Sequence, residues 1–113
     1  MSVIGLDFGT RTASIGLWFE EKDSIEVIAD DLGSRTIPCA VAYRGEEIIT
    51  GAAAITQQHK NPTNTWDNVR ALLTNKDVSS VNVPVLDKEV TVQDLSSHWF
   101  RNIHNQIKQQ VRL

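Results

Sequence analysis

The sequence predicts an α/β domain, β-rich up to residue 50 and helical in much of the remainder. Three observations carry this prediction. Apolar runs of strand length recur as far as Thr50 on connections too short for crossover helices, which calls for antiparallel neighbours. From Gly51 the composition shifts to helix formers. Near the end, Leu95, Trp99, Ile103, Ile107 and Val111 fall every four residues on one apolar stripe, with Phe100 beside it.

Taken in order, Val3–Phe8 reads as a strand that turns through Gly9, Thr10, Arg11 and Thr12 into a second apolar run, Ala13 to Phe19. The polar turn Glu20-Glu21-Lys22-Asp23 leads to a third strand over Ser24–Ala29. Asp30-Asp31-Leu32-Gly33-Ser34-Arg35 is a loop by composition, and Pro38–Tyr43 reads as one further strand with the proline at its start. Arg44-Gly45-Glu46 turns the chain into a short strand, Glu47–Thr50. Gly51 to Lys60 reads as a helix that stops at Asn61-Pro62. A second helix is expected to restart at Thr63-Asn64-Thr65, with Trp66, Val69, Leu72 and Leu73 on its apolar face. Val81–Val85 and Lys88–Thr91 form a hairpin about Leu86-Asp87, and Thr91-Val92-Gln93-Asp94 resembles a capping box opening the last helix.

At 113 residues, 41% hydrophobic and 22% charged, the chain has the composition of an ordinary globular domain. Its net charge of −3 conceals no basic cluster, so nucleic acid is not an expected partner. No apolar run is long enough to span a bilayer and no leader pattern opens the chain, so no membrane is expected and a cytoplasmic setting is. The single cysteine, Cys39, forms no internal disulfide and reads as a small buried strand residue. His59, His98 and His104 are out of register for a metal site, and Trp18, Trp66 and Trp99 read as packing residues. The chain stops within a helical pattern without a Gly or Pro stop signal, so a piece of a longer protein is expected, with the stripe of its last helix uncovered and prone to association.

The turn after the first strand carries the chemistry. Gly9 lets the backbone approach a ligand closely, so that successive N–H groups and the Thr10 hydroxyl can surround an anion such as a phosphate. Asp7, at the strand end, suits the water shell of Mg²⁺. Asp, Gly and Thr also make ordinary hairpin turns, and the residues alone leave both readings open.

Four stretches then resemble the seventy-kilodalton heat-shock chaperone family in order and spacing: Ile4-Gly-Leu-Asp-Phe-Gly-Thr10, Val27 to Tyr43 with its Gly33-x-Arg35-x-x-Pro38, Ile49-Thr-Gly-Ala-Ala-Ala54, and Asn61-Pro-Thr-Asn-Thr65. The first is shared with actin and the sugar kinases. The second and fourth are specific. The likeness lapses through 81–91 and returns in Val92-Gln-Asp-Leu-Ser-Ser97.

The resemblance implies a partial actin-like ATPase fold: the N-terminal part of a nucleotide-binding domain across 1–113, with first-subdomain strands over about 1–30 and a small overhanging α/β subdomain over about 31–105. It further implies that ATP or ADP with Mg²⁺ binds in the complete parent, with none held tightly by this part alone. Asp7 would hold Mg²⁺ through water, and Gly9, Thr10, Arg11 and Thr12 would line the first phosphate loop. Implied partners are the rest of the parent chaperone, J-domain or nucleotide-exchange cochaperones, and unfolded polypeptide through a domain outside this chain. There are two departures: Arg11 stands where the family pattern has a second threonine, and Ile55 comes after the Gly-x-Ala-Ala motif where that pattern is expected to place a lysine. No catalytic residue is therefore assigned, the parent is expected to hydrolyse ATP weakly or not at all, and the part alone is not an enzyme. Arg11 is the alternative source of positive charge. The competing readings are a non-catalytic cochaperone or interaction module on the same scaffold and, less favoured, a small-molecule kinase.

Overall fold

The computed structural model describes residues 3–30 and 32–111, with the side chain of Val111 left out. The loop reading at Asp31, the place of the Val111 side chain on the stripe and the chain end at Arg112 and Leu113 lie outside the described residues.

The first sheet grows from a long hairpin. Strands β1 (Val3–Phe8) and β2 (Thr12–Phe19) pair antiparallel from Val3 opposite Trp18 to Phe8 opposite Ala13. Alternation along β2 turns Ala13, Ile15 and Leu17 into the core and Ser14, Gly16 and Trp18 to the other face. β3 (Ser24–Val27) pairs along the distal half of β2, and β4 (Ile37–Pro38) along its start, with Thr12 opposite Pro38. Between β3 and β4 the loop is held by Asp30, whose Oδ1 accepts the amides of Leu32 at 3.0 Å and Ser34 at 2.9 Å.

The expected single strand over Pro38–Tyr43 is broken in two. Ile37 and Pro38 belong to the first sheet, while β5 (Val41–Arg44) starts a second sheet with β6 (Glu47–Thr50) and β7 (Thr65–Trp66), in the order β6-β5-β7. Cys39 and Ala40 make the crossing and are fully buried. Small side chains are what such a crossing needs, because two sheets and a helix crowd around it.

Two helices also differ from expectation. α1 covers only Ala52–Thr56, and the chain continues as a 3-10 turn over Gln58–Lys60. Gln57 ends the helix by turning its amide inward, donating to Ala54 O at 2.7 Å and Thr65 Oγ1 at 3.0 Å. The second helix does not restart at Thr65: Thr65-Trp66 is β7, paired with Val41 and Ala42, and α2 runs Val69–Thr74. The Asn-Pro-Thr-Asn-Thr motif closes on itself instead of capping a helix. Thr65 Oγ1 donates to Asn61 O at 2.7 Å, Asn61 Nδ2 to Tyr43 O at 2.9 Å, and the buried Asn64 accepts the Val85 amide at 2.8 Å. Those polar side chains tie β5, β7 and the 84–86 turn together, and Trp66 packs edge-on to Tyr43 at 6.0 Å.

β8 (Ser80–Val83) and β9 (Lys88–Thr91) form the expected hairpin, with Asp87 left-handed at φ 52. α3 (Val92–Val111) comes next, its Thr91 cap accepting the Asp94 amide at 3.1 Å. The expectation that its stripe is uncovered is overturned. Leu95, Trp99, Ile103 and Ile107 are buried in one cluster with β2, β4, β5 and Val69 of α2. Exposed apolar side chains lie instead on the first sheet, at Val3 (62% exposed) and Ile25 (71%), and off it, as at Leu32 (75%).

Candidate phosphate-binding turn

The β1–β2 turn is closed by the Gly9 amide donating to Thr12 O at 3.1 Å. A methyl group at Gly9 would lie 2.6 Å from that same oxygen, so only glycine fits without opening the turn. The crossing segment braces it from below. Cys39 donates its amide to Arg11 O at 2.9 Å and its thiol to Gly9 O at 3.7 Å. Pro38 O next to it accepts the Trp99 indole N–H at 2.8 Å, and Cys39 O accepts the Val69 amide at 3.5 Å. Turn, α2 and α3 thus meet at two successive residues.

That anchorage sets the start of α2 beside the turn. Arg70 reaches sixty positions back in sequence to donate from Nη1 to Thr10 Oγ1 at 3.3 Å. A cavity of about 300 Å³ lies between them, lined by Thr10, Arg70, Ala71 and Thr74. Arg11 points elsewhere, toward Asp67 at 3.7 Å, an exposed pair of small energetic weight.

Gly9, Thr10, Arg11 and Thr12 are therefore gathered in one turn, and Asp7 stands two residues before it on β1, exposed and opposite Ser14. Ile55 lies on α1, 38% exposed, and is not among the residues lining the Thr10 cavity. α2 is the helix at the turn and brings Arg70 to it, a residue to which the sequence alone assigned no part in the site. Its only advance sign was a cation on the polar side of the second helix.

Burial of Cys39 pushes its thiol up from the ordinary 9.0 to about 11. A raised thiol pKa keeps the folded state protonated while unfolded chains ionise, so this contribution to stability is intact below pH 9.0 and is lost as pH rises toward about 11. Native protein at pH 8 is expected to resist alkylation by iodoacetamide, with labelling appearing only in urea. Rapid native labelling would show that the crossing is open.

Comparison with known proteins agrees with the motifs. A family model described as Hsp70 protein matches residues 3–109. Heat shock cognate 70 kDa protein 3 of Dictyostelium discoideum is 37% identical over 106 residues, covering 93% of this chain and 15% of that protein. Chaperone protein DnaK of Ureaplasma urealyticum is 33% identical over 95 residues, 84% of this chain and 15% of that protein. Ribosome-associated complex subunit SSZ1 of Saccharomyces cerevisiae is 41% identical over 68 residues, 60% of this chain and 12% of that protein. The chain thus spans about 15% of the length of the first of these relatives. Matches of this extent show that the chain belongs to the Hsp70 protein family, its mixed α/β architecture being part of an actin-like ATPase fold.

Proposed function

We propose that this chain supplies the first phosphate-binding wall of a chaperone nucleotide-binding domain, receiving ATP or ADP within a longer protein. The observation that carries this reading is the Arg70 guanidinium set on the Thr10 hydroxyl at the mouth of the turn cavity. A guanidinium beside backbone donors and a hydroxyl is a set of groups that matches phosphate oxygens. Gly9 keeps the turn tight, since a Cβ there would meet Thr12 O of the turn itself. Asp7 is the carboxylate available to hold hydrated Mg²⁺, which when bound would neutralise phosphate charge.

Hydrolysis in that domain is slow. Support comes from the cations at the turn, which are both arginines: Arg11 is drawn to Asp67 and Arg70 to Thr10. Among the described residues no lysine lines the Thr10 cavity, so no compact ammonium is available there to orient an attacking water. In the full protein the turn works with cochaperones and unfolded polypeptide, in a cytoplasmic setting. The second reading, a non-catalytic interaction module, draws on the likeness to the ribosome-associated complex subunit.

Calorimetric titration of MgADP into the intact protein that carries this sequence tests the proposal. Arg70→Ala is expected to weaken binding about tenfold, the worth of one charge-assisted contact. Single-turnover hydrolysis is expected to be slow and to rise in Ile55→Lys, and normal turnover with no gain from the lysine would overturn the slow-hydrolysis reading. Absence of nucleotide binding in the unaltered protein would favour the interaction module. Unchanged affinity in Arg70→Ala would remove the arginine from the site.

A further inference from the structure

β6 is the outer strand of its sheet, with one edge paired to β5 and the other carrying no strand among the described residues. All four β6 residues, Glu47 to Thr50, line a groove of about 660 Å³ walled by Ala53 and Thr56 of α1 on one side and Asn102 of α3 on the other. A smaller cavity of about 220 Å³ shares Leu32, Thr50, Ala53 and Asn102 with the groove, so the two are continuous.

The smaller cavity has a chemical preference. Gln106 lines it and donates from Nε2 to Asn102 Oδ1 at 2.6 Å, which fixes the orientation of its amide. Its Oε1 is buried with no hydrogen-bond partner among the described residues. A buried acceptor in that state calls for a donor. Asp30 lines the same cavity, its carboxylate fixed by the amides of Leu32 and Ser34. Leu32 and Ile37, with Ala52 and Ala53, supply apolar wall for a methylene stem.

We propose that the groove takes an extended segment of a separate, basic polypeptide, which adds a strand to β6 and seats an arginine side chain between Asp30 and Gln106. Strand addition satisfies the open backbone edge, and the side-chain cavity supplies specificity. Arginine suits it better than lysine because its planar fork presents several donors, enough for an amide oxygen and a carboxylate together. Arg44 and Glu47, which also line the groove, pair with each other, so Asp30 is the carboxylate left to attract a basic partner. Thr10 and Arg70 line neither cavity, so this surface is independent of the nucleotide reading.

Pools of short peptides, randomised except for a central arginine, glutamine or glutamate, are titrated into the intact protein that carries this sequence. Anisotropy is expected to show the arginine pool binding about tenfold tighter than the glutamine pool. Hydrogen exchange is expected to slow at the amides of Glu47–Thr50. Asp30→Asn, which keeps the turn acceptor, and Gln106→Leu should each abolish the arginine preference without lowering the thermal midpoint. Equal binding or no binding by all three pools, protection confined to other elements, or an arginine preference surviving Asp30→Asn would overturn the proposal.

Discussion

Trp99→Ala is expected to lower stability by about 3–5 kcal/mol, enough to consume much of the margin of a domain this size. Trp99 is 1% exposed at the centre of α3. It stacks on Phe8 at 5.2 Å between centroids, meets Phe100 edge-on at 5.0 Å, and gives its indole N–H to Pro38 O at 2.8 Å. Removal therefore opens a cavity where both sheets meet the helix, and leaves a carbonyl without its donor. Trp99→Phe separates the two effects, with an expected loss of about 1–3 kcal/mol from the unpaired carbonyl and the smaller ring. Urea unfolding monitored by circular dichroism reads both values. A loss below about 1 kcal/mol for the alanine variant would mean that α3 is not seated as described.

Gly9→Ala is expected to weaken MgADP binding by about tenfold or more and to cost about 1–3 kcal/mol of stability. The added methyl meets a backbone oxygen at 2.6 Å, which cannot swing aside as a flexible side chain would. Relief requires the Gly9–Thr12 hydrogen bond to lengthen, which moves the amides and hydroxyl that define the turn. Gly5→Ala, on the strand that leads into the turn, is the control, because its methyl would meet only Gly16 O at 4.0 Å. Calorimetry on both variants checks the expectation, and equal behaviour would detach the close approach at Gly9 from nucleotide binding.

Periodic features were legible in the sequence. The four-residue spacing of Leu95, Trp99, Ile103 and Ile107 belongs to one helix face, and the first hairpin is fixed by its short turn and alternating burial. Features decided by distant partners were not. Nothing in Pro38–Tyr43 says that its halves join different sheets, since all six residues have strand character and the switch depends on what lies beside Cys39. Trp66 sat three residues before Val69 and counterfeited a helical repeat, while the polar side chains of the preceding motif closed a turn that forced Thr65-Trp66 into β7. The link of Arg70 to the turn was not legible because its partner, Thr10, is sixty residues away.

The backbone at Pro38 and Cys39 has a mechanical consequence. Carbonyl, amide and carbonyl in succession grip the long helix, the loop with its small-residue corner, and the short helix that bears a guanidinium. A tilt of the long helix would therefore pull on the turn through a single side chain, the Trp99 indole, and the backbone of Pro38 and Cys39. On the phosphate reading proposed for the turn, substitutions along the buried stripe should register as altered nucleotide affinity before they register as unfolding.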